Sequence, residues 1–198
     1  MKYFLAVGCS HTEGVGVNPN EVYVECLSKD LGISCVNLGL SGSNSEYALE
    51  QIVKTLRGNE LPKFIIAQWP NIYRKSFWKN NKRFFENINT GQNIFSQLLK
   101  QSENNFIQPW IQHILTADTL ANASAIPVYH ICLEHYKDQP VSVLDKEGIK
   151  LHMDLKKPGE TWFFDSAGSD GIHHSAKCHQ AWADRLLRII KLGETNGT

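Results

Sequence analysis

The sequence predicts an α/β domain in which helices cover both faces of a mostly parallel β-sheet. Short apolar runs alternate along the chain with longer amphipathic segments, a pattern typical of strands joined by right-handed helical crossovers. Several apolar runs end in Gly, Ser or Asn, as expected where open α/β sheets bind their ligands. The chain has 198 residues, a length that favours one domain. We assign that domain to residues 1–192, followed by a polar tail at 193–198.

The individual elements follow from hydrophobic periodicity and from glycines at segment ends. The apolar runs predict strands at 3–8, 33–38, 64–67 and 126–132. The amphipathic segments predict helices at 21–31, 45–56, 93–121 and 175–191. Pro109 is expected to break the third of these helices. Residues 72–92 and 133–168 lack a clear period, so we interpret the first as a loop or insertion over the sheet edge and the second as a long irregular connection.

The composition is that of an ordinary globular protein, with 42% apolar and 20% charged residues. Lys plus Arg and Asp plus Glu both number 20, and this balance argues against nucleic acid or an anionic membrane as the main partner. The chain shows neither a signal peptide nor an apolar stretch of membrane-spanning length, which predicts a cytoplasmic protein. Its five cysteines are scattered without a CxxC pair, so we expect reduced thiols rather than disulfides or a zinc site. The sequence indicates no oligomeric state.

The opening strand carries the most informative signal, because its apolar run ends directly in Gly8-Cys9-Ser10. A strand of this kind places a serine at the carboxyl edge of a parallel sheet. Near the other end of the chain, Asp170 and His173 stand just ahead of the last predicted helix. A serine becomes a good nucleophile when a base takes its proton, and a carboxylate can orient that base. We therefore predict Ser10, His173 and Asp170 as catalytic residues.

Two further loops could provide the donors that acyl transfer requires. Gly42 follows the second predicted strand and Asn71 follows the third. The tetrahedral intermediate of acyl transfer carries an oxyanion that must be stabilised by hydrogen-bond donors. We predict an oxyanion hole built from the backbone N–H groups of Ser10 and Gly42 and the side-chain amide of Asn71.

Four segments of the chain together resemble the conserved blocks of the SGNH/GDSL hydrolase superfamily. They are Gly8-Cys9-Ser10-His11-Thr12, Asn37-Leu38-Gly39-Leu40-Ser41-Gly42, Trp69-Pro70-Asn71 and Asp170-Gly171-Ile172-His173. The resemblance implies a flavodoxin-like three-layer α/β/α sandwich with a central, mostly parallel sheet of about five strands. It also implies esterase, lipase, deacetylase or acyltransferase chemistry that needs no metal or other cofactor.

The chain departs from the usual form of these blocks at several positions. Cys9 replaces the aspartate that normally precedes the serine, and Trp69 stands where the third block has glycine. Ile72 follows the asparagine of that block, and His174 takes the place of a common proline. The opening therefore resembles a divergent Gly-Cys-Ser-x-Thr branch of the superfamily, for which the resemblance implies no particular substrate.

The leading functional expectation is a serine esterase or deacylase that hydrolyses a carboxylic ester of a small molecule or a carbohydrate through an acyl-enzyme. One alternative is acyl transfer to a sugar hydroxyl at the same site, and another is a non-catalytic binding or structural module that keeps the scaffold. Possible substrate-binding residues are His11, Asn44, Trp69 and Arg74.

Each candidate also has a structural interpretation. Ser10 and Asp170 are residue types favoured at helix caps and turns. Gly42 and Asn71 suit tight turns for the same local reasons. His174 and His179 are interpreted as helix-surface or supporting residues, because a metal site with His173 would lack a matching carboxylate or cysteine motif.

Overall fold

The computed structural model describes residues 2–80, 82–87, 104–132, 144–146, 148–149, 151–154, 168–171 and 173–195. Its seven strands are β1 (Tyr3–Gly8), β2 (Ser34–Gly39), β3 (Ile65–Trp69), β4 (Arg74–Lys79), β5 (Lys82–Asn87), β6 (Val128–Cys132) and β7 (Leu151–Asp154). Five of them form one sheet in the order β2-β1-β3-β6-β7, and every pair in that sheet is parallel. This is the flavodoxin-like strand order, so the predicted α/β architecture is confirmed.

Helices cover the sheet on both faces. They are α1 (Ser10–Glu13), α2 (Tyr23–Leu31), α3 (Ser45–Leu56), α4 (Asn104–Ala123) and α5 (Ala176–Thr195), with a 3₁₀ turn at Pro19–Glu21. Side chains alternate along β1, so Leu5 and Val7 pack with α3 and α4 while Phe4 and Ala6 pack with α2 and α5. The sheet therefore lies between two hydrophobic layers, as a buried parallel sheet requires.

Local sequence signals account for most element bounds. The first strand and α3 have the predicted bounds, and the other predicted strands begin or end within two residues of the observed ones. The side chain of Asn44 starts α3 by accepting a hydrogen bond from Tyr47 N–H at 3.0 Å, the usual role of an N-cap asparagine. At the other end of the chain, α5 continues to Thr195, beyond the predicted start of the tail.

Three expectations need correction: residues 72–92 as a loop, residues 133–168 as wholly irregular, and Pro109 as a helix break. The segment 72–92 contains the antiparallel hairpin of β4 and β5, and 133–168 contains β7 at the edge of the main sheet. Pro109 lies inside α4 without ending it. Burial of Phe106, Trp110 and Ile114 against the core holds the helix across the proline, and this packing outweighs the lost backbone hydrogen bond. The predicted helical residues 93–103 lie outside the described part of the chain.

Two further findings concern membrane-spanning helices and the state of the cysteines. No helix in the described ranges is long and apolar enough to span a membrane. All five cysteines are free thiols, four of them buried.

Candidate active site

Ser10 lies where β1 turns into a short helix at the carboxyl edge of the sheet. Cys9 is the N-cap of α1 and Ser10 is its first residue, with only 4% of its surface exposed. The turn is tight at Gly8, since a Cβ there would lie 2.3 Å from Thr12 Oγ1 and 2.7 Å from Gln68 Oε1. Glycine is therefore required at position 8, two residues before Ser10, for close packing of the turn.

Gln68 supports this turn from the neighbouring strand, and sequence reasoning missed it. Its side-chain oxygen accepts from Cys9 N–H at 3.0 Å, from the Cys9 thiol at 3.2 Å and from the Thr12 hydroxyl at 3.0 Å. Gln68 is fully buried, so each of these bonds forms away from solvent, where losing it would be costly. The available signal was a polar side chain at the end of the apolar run 64–67.

Asp170 and His173 form a doubly hydrogen-bonded pair just before α5. Asp170 Oδ1 accepts from the backbone N–H of His173 at 2.9 Å, and Oδ2 lies 2.5 Å from His173 Nδ1. A carboxylate at Nδ1 holds the ring proton on that nitrogen and leaves Nε2 as the basic one. The structure therefore brings together the predicted base and its orienting carboxylate.

The loop that follows α1 packs directly against this pair. A Cβ at Gly16, where φ is +88°, would lie 3.0 Å from Asp170 Oδ1 and 3.1 Å from His173 Cβ. Ser169 N–H donates to Gly16 O at 2.8 Å, which ties the two segments together. The His11 ring also meets the His173 ring at a centroid distance of 5.3 Å. Two residues that follow Ser10, His11 in α1 and Gly16 in the loop after it, thus contact the Asp170–His173 segment.

The Ser10 hydroxyl faces Cys9 in this structure. It makes a long contact of 4.0 Å with Cys9 Sγ. Among the residues described, Ser10 and His173 share no hydrogen bond. Nucleophile–base contacts are often long in enzymes without substrate and tighten on binding.

The loop carrying Gly42 is fastened to the end of β1. Leu40 N–H and the Ser43 hydroxyl both donate to Gly8 O at 3.0 Å. Gly42 has a φ of +75°, a left-handed conformation that favours glycine. These contacts place the loop beside the turn that holds Ser10, the position predicted for the oxyanion hole.

Asn71 forms a turn at the end of β3. Its side-chain oxygen accepts from Tyr73 N–H at 2.8 Å, and its carbonyl accepts from Arg74 N–H at 3.1 Å. Asn71 therefore stabilises a turn, as its structural interpretation predicts, and does so through its side-chain oxygen. An oxyanion role would use the Nδ2 end of the same amide, so the two roles are compatible.

Comparisons with known proteins identify the fold. No family model matches this sequence, and no curated protein matches it. A G-D-S-L family protein from Desulfitobacterium hafniense DCB-2, described as lipolytic, matches 96% of this chain and 99% of its own at 14% identity with a TM-score of 0.62. The psychrotrophic esterase EstA from Pseudoalteromonas sp. matches 98% and 100% of the two chains, again at 14% identity and a TM-score of 0.62. The chain has the SGNH/GDSL hydrolase fold.

A carbohydrate esterase shares this fold as well. The family 3 carbohydrate esterase of Clostridium thermocellum matches 96% of this chain and 98% of its own, with 16% identity and a TM-score of 0.53. At such identities the SGNH likeness extends to architecture, so the chemistry of this chain must be argued from its own residues.

The four predicted substrate-binding residues have different surroundings in the SGNH scaffold. Trp69 is fully buried, and its indole N–H donates to His130 Nδ1 at 3.0 Å. A substrate-binding role for Trp69 therefore lacks support, because its large apolar ring packs into the core instead of the site. Asn44 and Arg74 both line a cleft next to the Gly42 loop. His11 lies largely inside the protein, against the ring of His173.

Histidines and one tryptophan pack together beside the Asp170–His173 segment of the SGNH fold. The Trp182 ring lies 4.9 Å from His179, 5.2 Å from His174 and 5.7 Å from His11, measured between centroids. Burial, followed by the charges of neighbouring histidines, lowers the pKa of His11 to about 3 and that of His179 to about 4. Both rings are therefore neutral at pH 7.

His179 is not a helix-surface residue. It is fully buried, and its Nδ1 accepts from Tyr23 N–H at 3.1 Å at the start of α2. The histidine cluster does not form a metal centre in the part of the chain that is described, where no group of three or more His, Cys, Asp or Glu side chains is placed to hold an ion.

Proposed function

We propose that this protein is a serine hydrolase that cleaves a carboxylic ester through an acyl-enzyme on Ser10. The proposal rests above all on the Asp170–His173 pair, joined at 2.5 Å and packed against the loop that follows Ser10. A carboxylate that orients an imidazole beside a serine-bearing turn is the arrangement that serine catalysis requires. Support at the level of the fold comes from the esterases and lipolytic proteins that share it.

In the proposed reaction, the Ser10 hydroxyl turns from Cys9 Sγ towards His173 and attacks the ester carbonyl carbon. His173 Nε2 takes the hydroxyl proton, and the carboxylate of Asp170 stabilises the imidazolium that forms. The intermediate collapses when the alcohol oxygen leaves with a proton from His173. Water then attacks the acyl-Ser10 ester by the same route in reverse, which releases the acid and restores the serine.

The oxyanion of each tetrahedral intermediate needs fixed donors. The backbone N–H of Ser10 is in the first turn of α1, where helix N–H groups have no partner within the helix. Gly42 N–H and the Asn71 side-chain amide complete the proposed set. Loss of one such donor typically raises the barrier by about 3–4 kcal/mol.

The test is a comparison of Ser10→Ala with Ser124→Ala on a short 4-nitrophenyl ester. Ser10→Ala should lower kcat about a millionfold and retain the wild-type unfolding temperature. Ser124 lies at the far end of α4, at the opposite edge of the sheet, and its variant should retain full activity. Wild-type turnover in Ser10→Ala would exclude Ser10 as the nucleophile.

A non-catalytic binding module on the same scaffold is the second candidate, because Ser10 is nearly buried and its hydroxyl contacts Cys9. A fluorophosphonate probe, followed by mass spectrometry of the labelled peptide, separates the two. Rapid labelling of Ser10 that depends on His173 supports the hydrolase. Absence of labelling in the folded protein supports the binding module.

A further inference from the structure

A cleft of about 210 Å³ opens beside the Gly42 loop. The start of α3, the start of β4 and one side of α4 enclose it. Its polar and aromatic lining includes Asn44, Ser45, Arg74, Lys75, Trp110 and His113. The volume is below the roughly 300–1,000 Å³ of pockets for drug-sized ligands, so it suits a short chemical group.

Ser43 connects this cleft to the candidate nucleophile. Arg74 Nη1 donates to Ser43 O at 3.3 Å, and the Ser43 hydroxyl donates to Gly8 O at 3.0 Å. Gly8 is two residues before Ser10 in the same turn. A group bound in the cleft would therefore be close to the reacting atoms.

Among the described residues that line the cleft, Arg74 and Lys75 carry positive charge and Glu46 carries the negative charge. Arg83 pairs with both Glu46 and Glu50, whereas neither Arg74 nor Lys75 forms an ion pair within the described ranges. Glu46 also lines the cleft, but it is already engaged by Arg83 and by the Ser76 hydroxyl.

Lys75 is also partly removed from water. Its ammonium lies 4.9 Å from the centroid of the Phe106 ring. Burial lowers the pKa of Lys75, although the charge of Glu46 acts in the opposite direction. A bound anion would stabilise a partly desolvated ammonium beside a guanidinium that has no ion pair among the described residues. Arg in particular matches the geometry of a carboxylate.

The remaining polar lining is neutral. Ser45 Oγ and His113 Nδ1 share a hydrogen bond of 2.9 Å, and burial lowers the pKa of His113. The Ser45–His113 pair therefore adds hydrogen-bonding groups but no charge at pH 7. Arg74 and Lys75 determine which ligands the cleft favours.

The two faces of the sheet indicate which part of an ester would enter the cleft. His173 precedes α5, which packs with α2 on one face, while the cleft lies between α3 and α4 on the other. The leaving alcohol must lie beside His173 to receive its proton. The acyl group then extends away from His173, towards the cleft.

We propose that the cleft binds a carboxylate at the far end of the acyl group, so that the preferred substrates are half-esters of short dicarboxylic acids. This inference rests on the proposed function of Ser10 for the position of the ester. The cleft itself is defined independently by Arg74, Lys75 and the walls of α3 and α4.

The test compares two matched esters, 4-nitrophenyl hemisuccinate and 4-nitrophenyl 4-methylpentanoate. The second replaces the two oxygens of the terminal carboxylate by two methyl groups and keeps the chain length. The wild-type protein should hydrolyse the hemisuccinate with a kcat/KM at least about tenfold higher, the lower end expected for one charge-assisted hydrogen bond. Equal turnover of both esters, or a preference for the neutral one, would overturn the inference and leave the proposed function standing.

Variants assign the preference to the cleft. Arg74→Met and Lys75→Met should each lower kcat/KM for the hemisuccinate about tenfold to a hundredfold and thereby remove the preference for it over the neutral ester. Lys75→Arg should retain the preference, which guards against a general folding defect. The control Lys63→Met removes the same charge from an exposed site at the opposite edge of the sheet. If that control loses the preference to the same extent, the cleft is not its origin.

Direct binding separates this inference from the proposed function. Calorimetry with succinate should show a heat of binding in the wild-type protein that is lost in Arg74→Met. If the protein hydrolyses neither ester yet binds succinate through Arg74, the proposed hydrolase fails and the anion site stands. If wild-type protein and Arg74→Met bind succinate equally, the anion site fails.

Discussion

His173 and His179 are six positions apart, and the structure uses them in opposite ways. The side chain of His173 is 20% exposed and its Nδ1 faces the carboxylate of Asp170. His179 is fully buried and its Nδ1 faces the backbone N–H of Tyr23. A carboxylate requires a proton on Nδ1, whereas an N–H donor requires a lone pair there. The two rings therefore hold opposite tautomers, and only His173 presents an unprotonated Nε2.

The partner at Nδ1, together with burial, separates a histidine suited to the proposed catalytic role from one that packs in the core. His179 stacks near Tyr23 and Trp182, and burial holds its pKa at about 4. A ring that stays neutral across the physiological range can cap the start of α2 permanently. His173 instead packs against the loop that follows α1, where the proposed reaction takes place.

Exchanging each histidine for asparagine tests this contrast most strongly. His173→Asn should lower kcat on a 4-nitrophenyl ester about a millionfold, because no base remains for Ser10. Its free energy of unfolding should change by about 0.5 kcal/mol or less, as for most partly exposed positions. Steady-state kinetics and urea unfolding measure the two effects. Undiminished turnover in His173→Asn would contradict the assignment of the base.

Asp170→Asn should have the next largest effect on activity. The new amide would donate to His173 Nδ1, which moves the ring proton to Nε2 and prevents it from accepting the Ser10 proton. A change of this kind lowers kcat about ten-thousandfold in serine hydrolases. Asp184→Asn, at an exposed carboxylate on α5, is the matched control and should retain wild-type kinetics. Equal kcat values in the two variants would contradict the orienting role of Asp170.

His179 should make the free energy of unfolding depend on pH, an effect smaller than those predicted for His173→Asn and Asp170→Asn. Its pKa is about 4 in the folded protein and about 6.5 in the unfolded chain, so the unfolded state binds more protons between these values. Stability is therefore complete above about pH 6.5 and declines as the pH falls towards 4. Between pH 7 and pH 5 the contribution of His179 should fall by about 2 kcal/mol.

The variant His179→Asn tests the contribution of His179 to this pH dependence. Asparagine keeps an acceptor for Tyr23 N–H but cannot be protonated in this range. The pKa of His11 is lowered mainly by burial, with the charge of His179 only a later cause. Most of the His11 loss is therefore common to both proteins, and the difference between them chiefly reports His179. Urea unfolding at pH 7 and pH 5 should show a loss about 2 kcal/mol larger in the wild-type protein. Identical losses would show that His179 does not titrate as the fold implies.

Much of the fold could be predicted because its signals are local. The apolar run of β1 and the periodic face of α3 are properties of neighbouring residues, and the structure reproduces both sets of bounds. The β4–β5 hairpin was missed because its stabilising contacts are distant, with Arg83 reaching Glu46 and Glu50 on α3. The edge strand β7 has four residues, too few for a period to stand out.

The sequence by itself determined the strand that presents Ser10 and the proximity of Asp170 to His173, because both depend on residues close together in the chain. Only the tertiary structure decided that Gln68, 59 positions from Cys9, holds the turn before Ser10. Likewise, it decided that His179 is buried against α2 and that Arg74 and Lys75 face a cleft beside Gly42. These features come from long-range packing, in which a side chain's role depends on elements that the linear sequence does not place beside it.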